Sequence, residues 1–321
     1  MQKLLTSEDY GMSVVAVPPI ALNADLSFHL EANAKLMRHI AGGGVRILLY
    51  GGNANLYHFG LDAYRVAMEG LSESVPDGTT IVTSIGPDFG KAMEQVPIVR
   101  QLGLTNVMLL PTQFPADPTG VANGVRHLAD KLGTGLVLYL KKENYVDPDR
   151  LAALVEEGSV RFVKYAVERV NPADDAYLDS VLSAVGVRHV ASGMGETPIH
   201  DHLGRRGLTT YTSGAVCIAP TAAMGLLALY QAGRDAEALE LSRPFLDFEV
   251  VRTRLGGLQV LHDGVRISGI CNTGPLMPMV ANLPEAKLEP VASVVNALVD
   301  AEKKASLRRD QDKLVAIDSQ V

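Results

Sequence analysis

The sequence predicts an α/β protein, a (β/α)8 TIM barrel with additional C-terminal helices. Eight short apolar runs, most of them rich in β-branched residues, alternate with helix-length segments whose apolar residues recur at a spacing near 3.6. Regular β-then-α alternation favours a parallel sheet, and units of roughly thirty residues favour closure into a barrel. The 321 residues are 47% hydrophobic, which is enough for one large core.

The predicted strands and barrel helices follow one another without interruption. The strands are residues 13–17, 45–50, 79–84, 106–110, 136–140, 160–166, 188–191 and 208–212. The helices between them are residues 26–41, 61–74, 89–102, 119–132, 148–156, 172–184 and 197–205. Several of these helices begin with an acidic residue or a proline, as helix starts commonly do.

The chain beyond the eighth strand is predicted to be helical. Residues 219–232 form the closing helix, and residues 234–248 and 286–304 form further helices. Gly256 and Gly257, and the segment 274–284, interrupt them. No low-complexity linker separates these helices from the barrel, so we expect a barrel in residues 1–233 and a helical extension in residues 234–321 packed on it.

Composition excludes several function classes. The net charge of −7 leaves no basic stripe for nucleic acid, and the cationic residues in 303–309 lie among acidic ones. Cys217 and Cys271 cannot make a disulfide framework, so we expect buried thiols in a reducing compartment. The apolar run 12–17 is too short for a signal peptide or a membrane span. We therefore expect a cytoplasmic protein that binds neither nucleic acid nor membrane.

A lysine lies inside the sixth predicted strand. Strand alternation places Lys164 on the same face as Val160, Phe162 and Ala166. Burial lowers the pKa of a lysine by up to several units, and a neutral amine can attack a carbonyl carbon. The alternative is that Lys164 ends the strand and extends its ammonium into water.

Catalytic residues of a barrel lie at the C-terminal ends of the strands. The candidates there are Gly51, Gly52 and Asn53 after the second strand, Tyr139 in the fifth, Gly193 and Glu196 after the seventh, and Thr212 and Ser213 at the eighth. Each residue also has an ordinary structural interpretation as a turn, a packing residue or a helix-start acid. Each of these signals is weak alone, but small or polar groups at four strand ends around one strand-borne lysine are less expected by chance than any single one of them.

The order of these motifs resembles the dihydrodipicolinate synthase and N-acetylneuraminate lyase family, over roughly residues 12–245. The most specific part is the lysine strand, with Tyr139 placed 25 residues before Lys164. The runs 50–53 and 211–216 look closest to the 5-dehydro-4-deoxyglucarate dehydratase branch. The resemblance implies that Lys164 forms a Schiff base with a 2-oxo acid, that Tyr139 shuttles protons, and that the enzyme is a homotetramer or a dimer.

The chain also departs from the family pattern. Where the synthase has two adjacent threonines followed by Gly-Glu, this chain has the run Gly52-Asn53-Ala54-Asn55. After the fourth strand, the run Pro111-Thr112-Gln113-Phe114 lacks a tyrosine that the family usually has there. The loop after Tyr139 lacks the family's carboxylate-binding arginine, for which Lys141 or Lys142 could substitute if they are not merely solvated. These departures oppose a lysine-biosynthetic condensation and leave the substrate open.

The expected mechanism is covalent catalysis by a lyase acting on a pyruvate-like or sugar-acid-derived 2-oxo acid, through aldol cleavage, condensation or dehydration. Lys164 forms the imine and Tyr139 carries protons. The loop 51–53, with Thr212 or Ser213, holds the carboxylate or developing oxyanion. Glu196 and Met194 face the distal half of the substrate.

Rival functions have weaker support. His200 and His202 are two positions apart, diverge around a helix and have no third ligand at a suitable spacing. No GxGxxG fingerprint follows the first strand. The sequence thus predicts neither a metal nor an organic cofactor. A barrel that binds a small acid without turnover stays open as an alternative of another class.

Overall fold

Eight parallel strands form a nearly closed barrel in the computed structural model, which describes the backbone of residues 2–318 and the side chains of residues 2–311. The strands are β1 (Val15–Ala16), β2 (Ile47–Leu49), β3 (Thr80–Ile85), β4 (Val107–Leu109), β5 (Leu136–Leu140), β6 (Val160–Tyr165), β7 (Val190–Ser192) and β8 (Thr212–Ser213). Each strand from β1 to β6 pairs in parallel with the next, and β1 also pairs with β8. A parallel bridge between Ser192 and Tyr211 joins β7 to the segment before β8.

The helices surround the barrel and continue beyond it. They are α1 (Ser7–Gly11), α2 (Leu30–Gly42), α3 (Leu61–Ser74), α4 (Phe89–Gln101), α5 (Pro118–Leu132), α6 (Pro148–Glu156), α7 (Ala176–Val185), α8 (Pro220–Gln231), α9 (Asp235–Leu255), α10 (Gly257–Ile267) and α11 (Leu288–Asp318). A π-helix at His200–Arg205 takes the place of the helix after β7. None of the helices in the described range is long and apolar enough to cross a membrane.

The predicted (β/α)8 barrel with C-terminal helices is confirmed, while some boundaries are wrong. The eighth strand was expected at residues 208–212 but is Thr212–Ser213. Gly207 turns the chain with φ +74, and before β8 Tyr211 makes only the single bridge to Ser192. The predicted helix 197–205 is only the short π-helix, and α1 and α10 were not predicted.

Local capping explains why some helices match their predicted limits closely. The Asp117 side chain accepts hydrogen bonds from the N–H groups of Thr119 and Gly120 at the start of α5. Gly133 ends the same helix with φ +75, a conformation that glycine adopts without steric cost. Such capping residues allow the start and the end of a helix to be predicted from the sequence without tertiary information.

The inside of the barrel is packed at one end and polar at the other. Tyr10 of α1 stacks on Phe162 of β6 with ring centroids 3.8 Å apart. Lys164 lies two residues further along β6 and is opposite Tyr139 of β5 in the strand register. A register irregularity at Leu136 and Val137 leaves Arg161 unpaired and exposed. Toward the C-terminal ends of the strands, the apolar packing therefore gives way to a lysine and a tyrosine.

The C-terminal helices pack on the barrel and reach its mouth. Phe245 and Phe248 of α9 are fully buried. Helix α9 ends before Gly256, whose φ of +114 turns the chain into α10. The last turns of α9 carry Glu249 and Arg252, which lie against residues that follow β2, β7 and β8.

Candidate active site

Lys164 is a buried amine at the C-terminal end of β6. Its side chain is 8% exposed, and among the described residues no carboxylate forms an ion pair with it. Burial, followed by the positive charges of Lys141 and Arg252, lowers the pKa of Lys164 to about 7. This lowered pKa favours the neutral amine near neutral pH, which is the form that attacks a carbonyl.

Tyr139 is the nearest aromatic neighbour of this amine. The Nζ atom of Lys164 lies 4.6 Å from the centroid of the Tyr139 ring. Burial, with smaller contributions from Tyr57 and Glu168, raises the pKa of Tyr139 above its ordinary value of 10.0. The phenol is therefore neutral at pH 7 and can both donate and accept a hydrogen bond.

Glu196 is a second buried titratable group at the mouth. The Ser213 hydroxyl donates to Oε1 of Glu196 at 2.5 Å and accepts from the N–H of Val216 at 3.0 Å. Oε2 of Glu196 has no hydrogen-bond partner among the described residues. Burial and then the adjacent Glu249 raise the pKa of Glu196 to about 8. The raised pKa favours the neutral carboxylic acid, and burial shows that Glu196 is not a solvated helix-start acid.

Glu249 and Arg252 of α9 lie beside Glu196 and Asn53, and the sequence analysis did not predict either of them as a site residue. Arg252 donates through Nη1 to Oε1 of Glu249 at 2.7 Å and through Nε to the Gly257 carbonyl at 3.0 Å. Its Nη2 lies 3.5 Å from Oδ1 of Asn53. A Glu and an Arg three positions apart on a helix are a common surface pair. The sequence therefore contains no signal that singles out these two residues.

Glycines at the ends of β7 and β8 make room for these α9 side chains. A Cβ atom on Gly195 would lie 2.9 Å from the Glu249 carboxyl carbon, and one on Gly214 would lie 3.1 Å from Nη1 of Arg252. Gly195 also has φ +67, which disfavours any side chain. Gly195 and Gly214 are the sequence feature that is consistent with the close approach of Glu249 and Arg252.

The loop after β2 is shaped by packing and by turn geometry. A Cβ on Gly51 would lie 2.9 Å from the terminal methyl group of Met108, so the methionine side chain would have to shift, whereas a Cβ on Gly52 would make only an ordinary contact with Tyr57 at 3.8 Å. The Asn53 side chain donates to the Val17 carbonyl at 3.1 Å and accepts from Arg252. The backbone N–H groups of Gly52 and Asn53 have no acceptor among the described residues. They are available to an anion, while the Asn53 amide already has protein partners.

Gly193 and Thr212 are placed by the barrel itself. The Gly193 N–H donates to the Tyr165 carbonyl at 2.6 Å, and a Cβ at this position would lie 2.6 Å from that same oxygen. Thr212 is buried and pairs with Val15 in the register of β8 and β1. Close strand packing alone accounts for Gly193.

The other charged candidates lie at the margin or elsewhere. Lys141 and Lys142 are both exposed, and Nζ of Lys142 lies 5.8 Å from the centroid of the Tyr145 ring. The Nδ1 atom of His202 lies 2.8 Å from the Ser192 hydroxyl, and burial lowers the pKa of this histidine to about 4. Within the described residues, no three His, Cys, Asp or Glu side chains are grouped as metal ligands would be.

A cavity that lies beside the C-terminal ends of β3 and β4 does not include Lys164 in its lining. That cavity has a volume of about 520 Å³ and is lined mainly by apolar residues, among them Phe89, Leu109, Phe114, Val121 and Tyr145. Its lining contains no lysine. Lys164 is therefore not part of the lining of this cavity.

The chain is similar along most of its length to curated proteins that share one name. No family model matches the chain. It is 23% identical over 308 residues to a probable 5-dehydro-4-deoxyglucarate dehydratase of Rhizobium meliloti, covering 89% of this chain and 96% of that protein. It is 24% identical over 298 residues to a protein of the same name from Saccharopolyspora erythraea, covering 89% and 93%.

Solved structures share the fold at lower identity. Dihydrodipicolinate synthase from Bacillus clausii superposes with a TM-score of 0.80 at 17% identity, covering 91% of this chain and 98% of that one. The sialic acid aldolase of Ruminococcus gnavus superposes with a TM-score of 0.80 at 14% identity, covering 92% and 99%. The chain is therefore similar over most of its length to proteins named as probable 5-dehydro-4-deoxyglucarate dehydratases, and it shares the fold of dihydrodipicolinate synthase and sialic acid aldolase.

Proposed function

We propose that this enzyme, a lyase, binds a 2-oxo acid as a Schiff base on Lys164 and then breaks a carbon–carbon or carbon–oxygen bond close to the imine. The observation that carries the proposal is the state of Lys164. This amine is buried at the barrel mouth, lies beside Tyr139, has no carboxylate ion pair among the described residues and has a pKa of about 7. A lysine that is only structural would gain from a carboxylate partner, which this one does not have.

The first steps use Lys164 and Tyr139. Neutral Lys164 attacks the keto carbon to form a C–N bond, and the former carbonyl oxygen takes up protons and leaves as water. Tyr139 is placed to carry these protons because its hydroxyl stays neutral. The resulting iminium withdraws electrons from the neighbouring carbon. The free N–H groups of Gly52 and Asn53 would bind the carboxylate next to the imine.

For the step that follows imine formation, we favour dehydration over aldol cleavage or condensation. The carbon next to the iminium loses a proton to Tyr139, which gave up its own proton to the departing water, and an enamine forms. The electrons of the enamine then expel a hydroxyl group from the following carbon. The departing oxygen needs a proton, and neutral Glu196, held by Ser213, can supply it. The name of the curated relatives, probable 5-dehydro-4-deoxyglucarate dehydratase, fits this order of events.

Borohydride trapping tests the imine. Reduction in the presence of pyruvate should add the mass of the reduced ligand at Lys164, and Lys164→Ala should lose both this adduct and turnover. Lys91→Ala is the matched control, because burial also lowers the pKa of Lys91 although it lies on α4. Absence of any adduct from the wild-type protein over a panel of 2-oxo acids would overturn the proposal.

Glu196→Gln separates dehydration from simple binding. Glutamine keeps the shape and can still accept from Ser213, but it cannot give up a proton as an acid. We expect pyruvate trapping to persist while dehydration of a 2-oxo sugar acid falls about 10²- to 10⁴-fold. An equal loss of trapping and turnover would assign Glu196 to binding. Trapping by the wild type without product release from any such acid would instead favour a non-catalytic acid-binding barrel.

Quaternary structure and location are parts of the same proposal. The family resemblance implies a homodimer or a homotetramer with a small 2-oxo acid as the partner, and two buried free cysteines fit the reducing cytoplasm. Sedimentation velocity at micromolar concentration tests the first point. A monomer under those conditions would contradict it.

A further inference from the structure

The two free N–H groups after β2 belong to peptide units whose carbonyls the protein already holds. The Gly52 carbonyl accepts from the Asn55 N–H at 2.9 Å. The Gly51 carbonyl accepts from the Leu56 N–H at 3.4 Å. Both peptides are trans, so the following N–H points in the direction opposite to its carbonyl. The directions of the free N–H groups are therefore set by the contacts made at Asn55 and Leu56.

Asn55 has a backbone conformation that few residue types adopt. Its φ of 56 and ψ of 29 lie in the left-handed region, which asparagine and glycine tolerate best. Asn55 is only 3% exposed, and its Nδ2 donates to the Met277 carbonyl at 3.1 Å. A buried amide donor without an acceptor would cost about 1–3 kcal/mol. The hydrogen bond to Met277 therefore stabilises this turn.

The Met277 carbonyl belongs to the segment 272–284, which leads from α10 toward α11. The side chain of Asn282 holds this segment together. Its Oδ1 accepts from the Leu276 N–H at 3.0 Å, and its Nδ2 donates to the Gly274 carbonyl at 3.2 Å. One amide thus fixes the shape of the part of the segment that contains Met277.

Both ends of the segment are tied to the rest of the protein. At one end, the Thr273 carbonyl accepts from the N–H of Leu22, which follows β1, at 3.0 Å. At the other end, the Leu283 N–H donates to Oδ2 of Asp263 at 2.8 Å, and Asp263 lies buried in α10. The segment is therefore a firm support for a loop that contacts it.

We infer that Asn55 and the segment 272–284 hold the N–H groups of the loop 51–53 in the direction that binds the carboxylate of a 2-oxo acid. Asn55 is a positioning residue, because its own side-chain donor is used by Met277. The inference rests on the proposed function, since the imine brings the carboxylate to this loop. Donors that are already oriented lose less entropy on binding than mobile donors, so the support should strengthen binding of the acid.

Pyruvate and acetone are a matched pair of probes, because acetone has a methyl group in place of the carboxylate. Cyanoborohydride trapping at Lys164 gives a second-order rate constant for each ketone. Asn55→Gly keeps a residue that adopts positive φ but removes the hydrogen bond to Met277. We expect its constant for pyruvate to fall about 10-fold, the lower end for loss of a hydrogen bond to a charged group. Its constant for acetone should stay within about twofold of the wild type.

Asn144→Gly is the matched control, because Asn144 also has φ 56 but is exposed in the loop after β5. Both substitutions give the unfolded chain the same additional freedom, so a difference between them belongs to the contact with Met277. Asn144→Gly should keep both rate constants. Asn55→Gly could instead lose trapping of pyruvate and acetone equally, which would make the role of Asn55 purely structural and overturn the inference. An unchanged constant for pyruvate would overturn it as well.

A substitution within the segment guards against a folding artefact at the loop. Asn282→Ala removes the amide that shapes the segment and leaves the sequence of the loop intact. It should lower the pyruvate constant roughly 3- to 10-fold, the value of one ordinary hydrogen bond, and spare acetone. Wild-type constants in Asn282→Ala would show that the segment does not support the loop.

Saturation with pyruvate separates binding from chemistry. A carboxylate site contributes equally before and during the reaction, so a high pyruvate concentration should restore the maximal trapping rate of Asn55→Gly to within about threefold of the wild type. A maximal rate that stays 10-fold lower would place the defect at Lys164 and contradict the inference. Failure of the wild type to trap pyruvate at all would instead remove the proposed function.

Discussion

Lys164, a basic residue, and Glu196, an acidic residue, are both buried, and burial favours the uncharged form of each side chain. Burial lowers the pKa of Lys164 to about 7 and raises that of Glu196 to about 8. Because neither group has a partner of opposite charge in direct contact, each destabilises the fold when it is ionised. The proposed function explains why the protein has two such residues, since a neutral amine and a neutral acid are the forms that the chemistry requires.

Replacement of Lys164 should stabilise the protein while it destroys activity. The pKa of Lys164 is about 7 in the folded state and near 10.5 when exposed. Below pH 7 both states are protonated, and the folded state bears the full cost of a buried ammonium. Between these values the unfolded state binds more protons, so the stability of the wild type rises with pH. We expect Lys164→Met to raise the free energy of unfolding by roughly 2–4 kcal/mol at pH 6 and by less at pH 9.

Urea unfolding at the two pH values measures this effect. Lys142→Met is the control, because Lys142 is exposed and its replacement should change stability by less than about 0.5 kcal/mol. A Lys164→Met gain that is absent at pH 6, or that grows toward pH 9, would show that the amine is not buried as described.

At the scale of elements, α9 connects the C-terminal extension to the chemistry. Helix α9 is anchored by Phe245 and Phe248, which are fully buried, and its last turns hold Glu249 and Arg252 at the mouth. The Arg252 guanidinium carbon lies 6.0 Å from the centroid of the Phe248 ring. The position of α9 therefore decides where the guanidinium lies.

A cavity under α9 should lower the stability of the protein. Phe248→Ala removes a fully buried ring and should cost about 3–5 kcal/mol of unfolding free energy. Val250→Ala, on the exposed side of the same helix, is the matched control and should cost less than about 0.5 kcal/mol. Chemical denaturation followed by circular dichroism compares the two. A similar cost for both variants would mean that α9 is not anchored by Phe248.

At the scale of the whole molecule, barrel and extension form one packed unit. Helices α9, α10 and α11 contact one another, and α8 contacts both α9 and α11. The division proposed from the sequence, with a barrel in residues 1–233 and an extension after it, therefore describes chain order and not two independent folds. The extension covers apolar surface and completes the mouth.

Truncation after Gly233 tests this unity. The shortened chain would expose the apolar face of α8 and lose Arg252, so we expect aggregation or a non-cooperative thermal transition. Differential scanning calorimetry of the two chains compares them. A truncated chain that unfolds cooperatively near the wild-type temperature would show that the barrel is stable alone.

The amino-acid sequence by itself determined the order of strands and helices, the barrel and the lysine at its mouth. These properties depend on local periodicity, on caps such as Asp117 and Gly133, and on the fact that the C-terminal ends of parallel strands meet at one end of the barrel. Only the tertiary structure decided which charges surround Lys164. Arg252 and Glu249 lie more than eighty residues beyond it, and they reach the mouth because buried phenylalanines dock α9 there. Local patterns contain no information about such long-range docking. A Glu and an Arg three positions apart on a helix form the same sequence pattern whether the pair lies in water or in an active site.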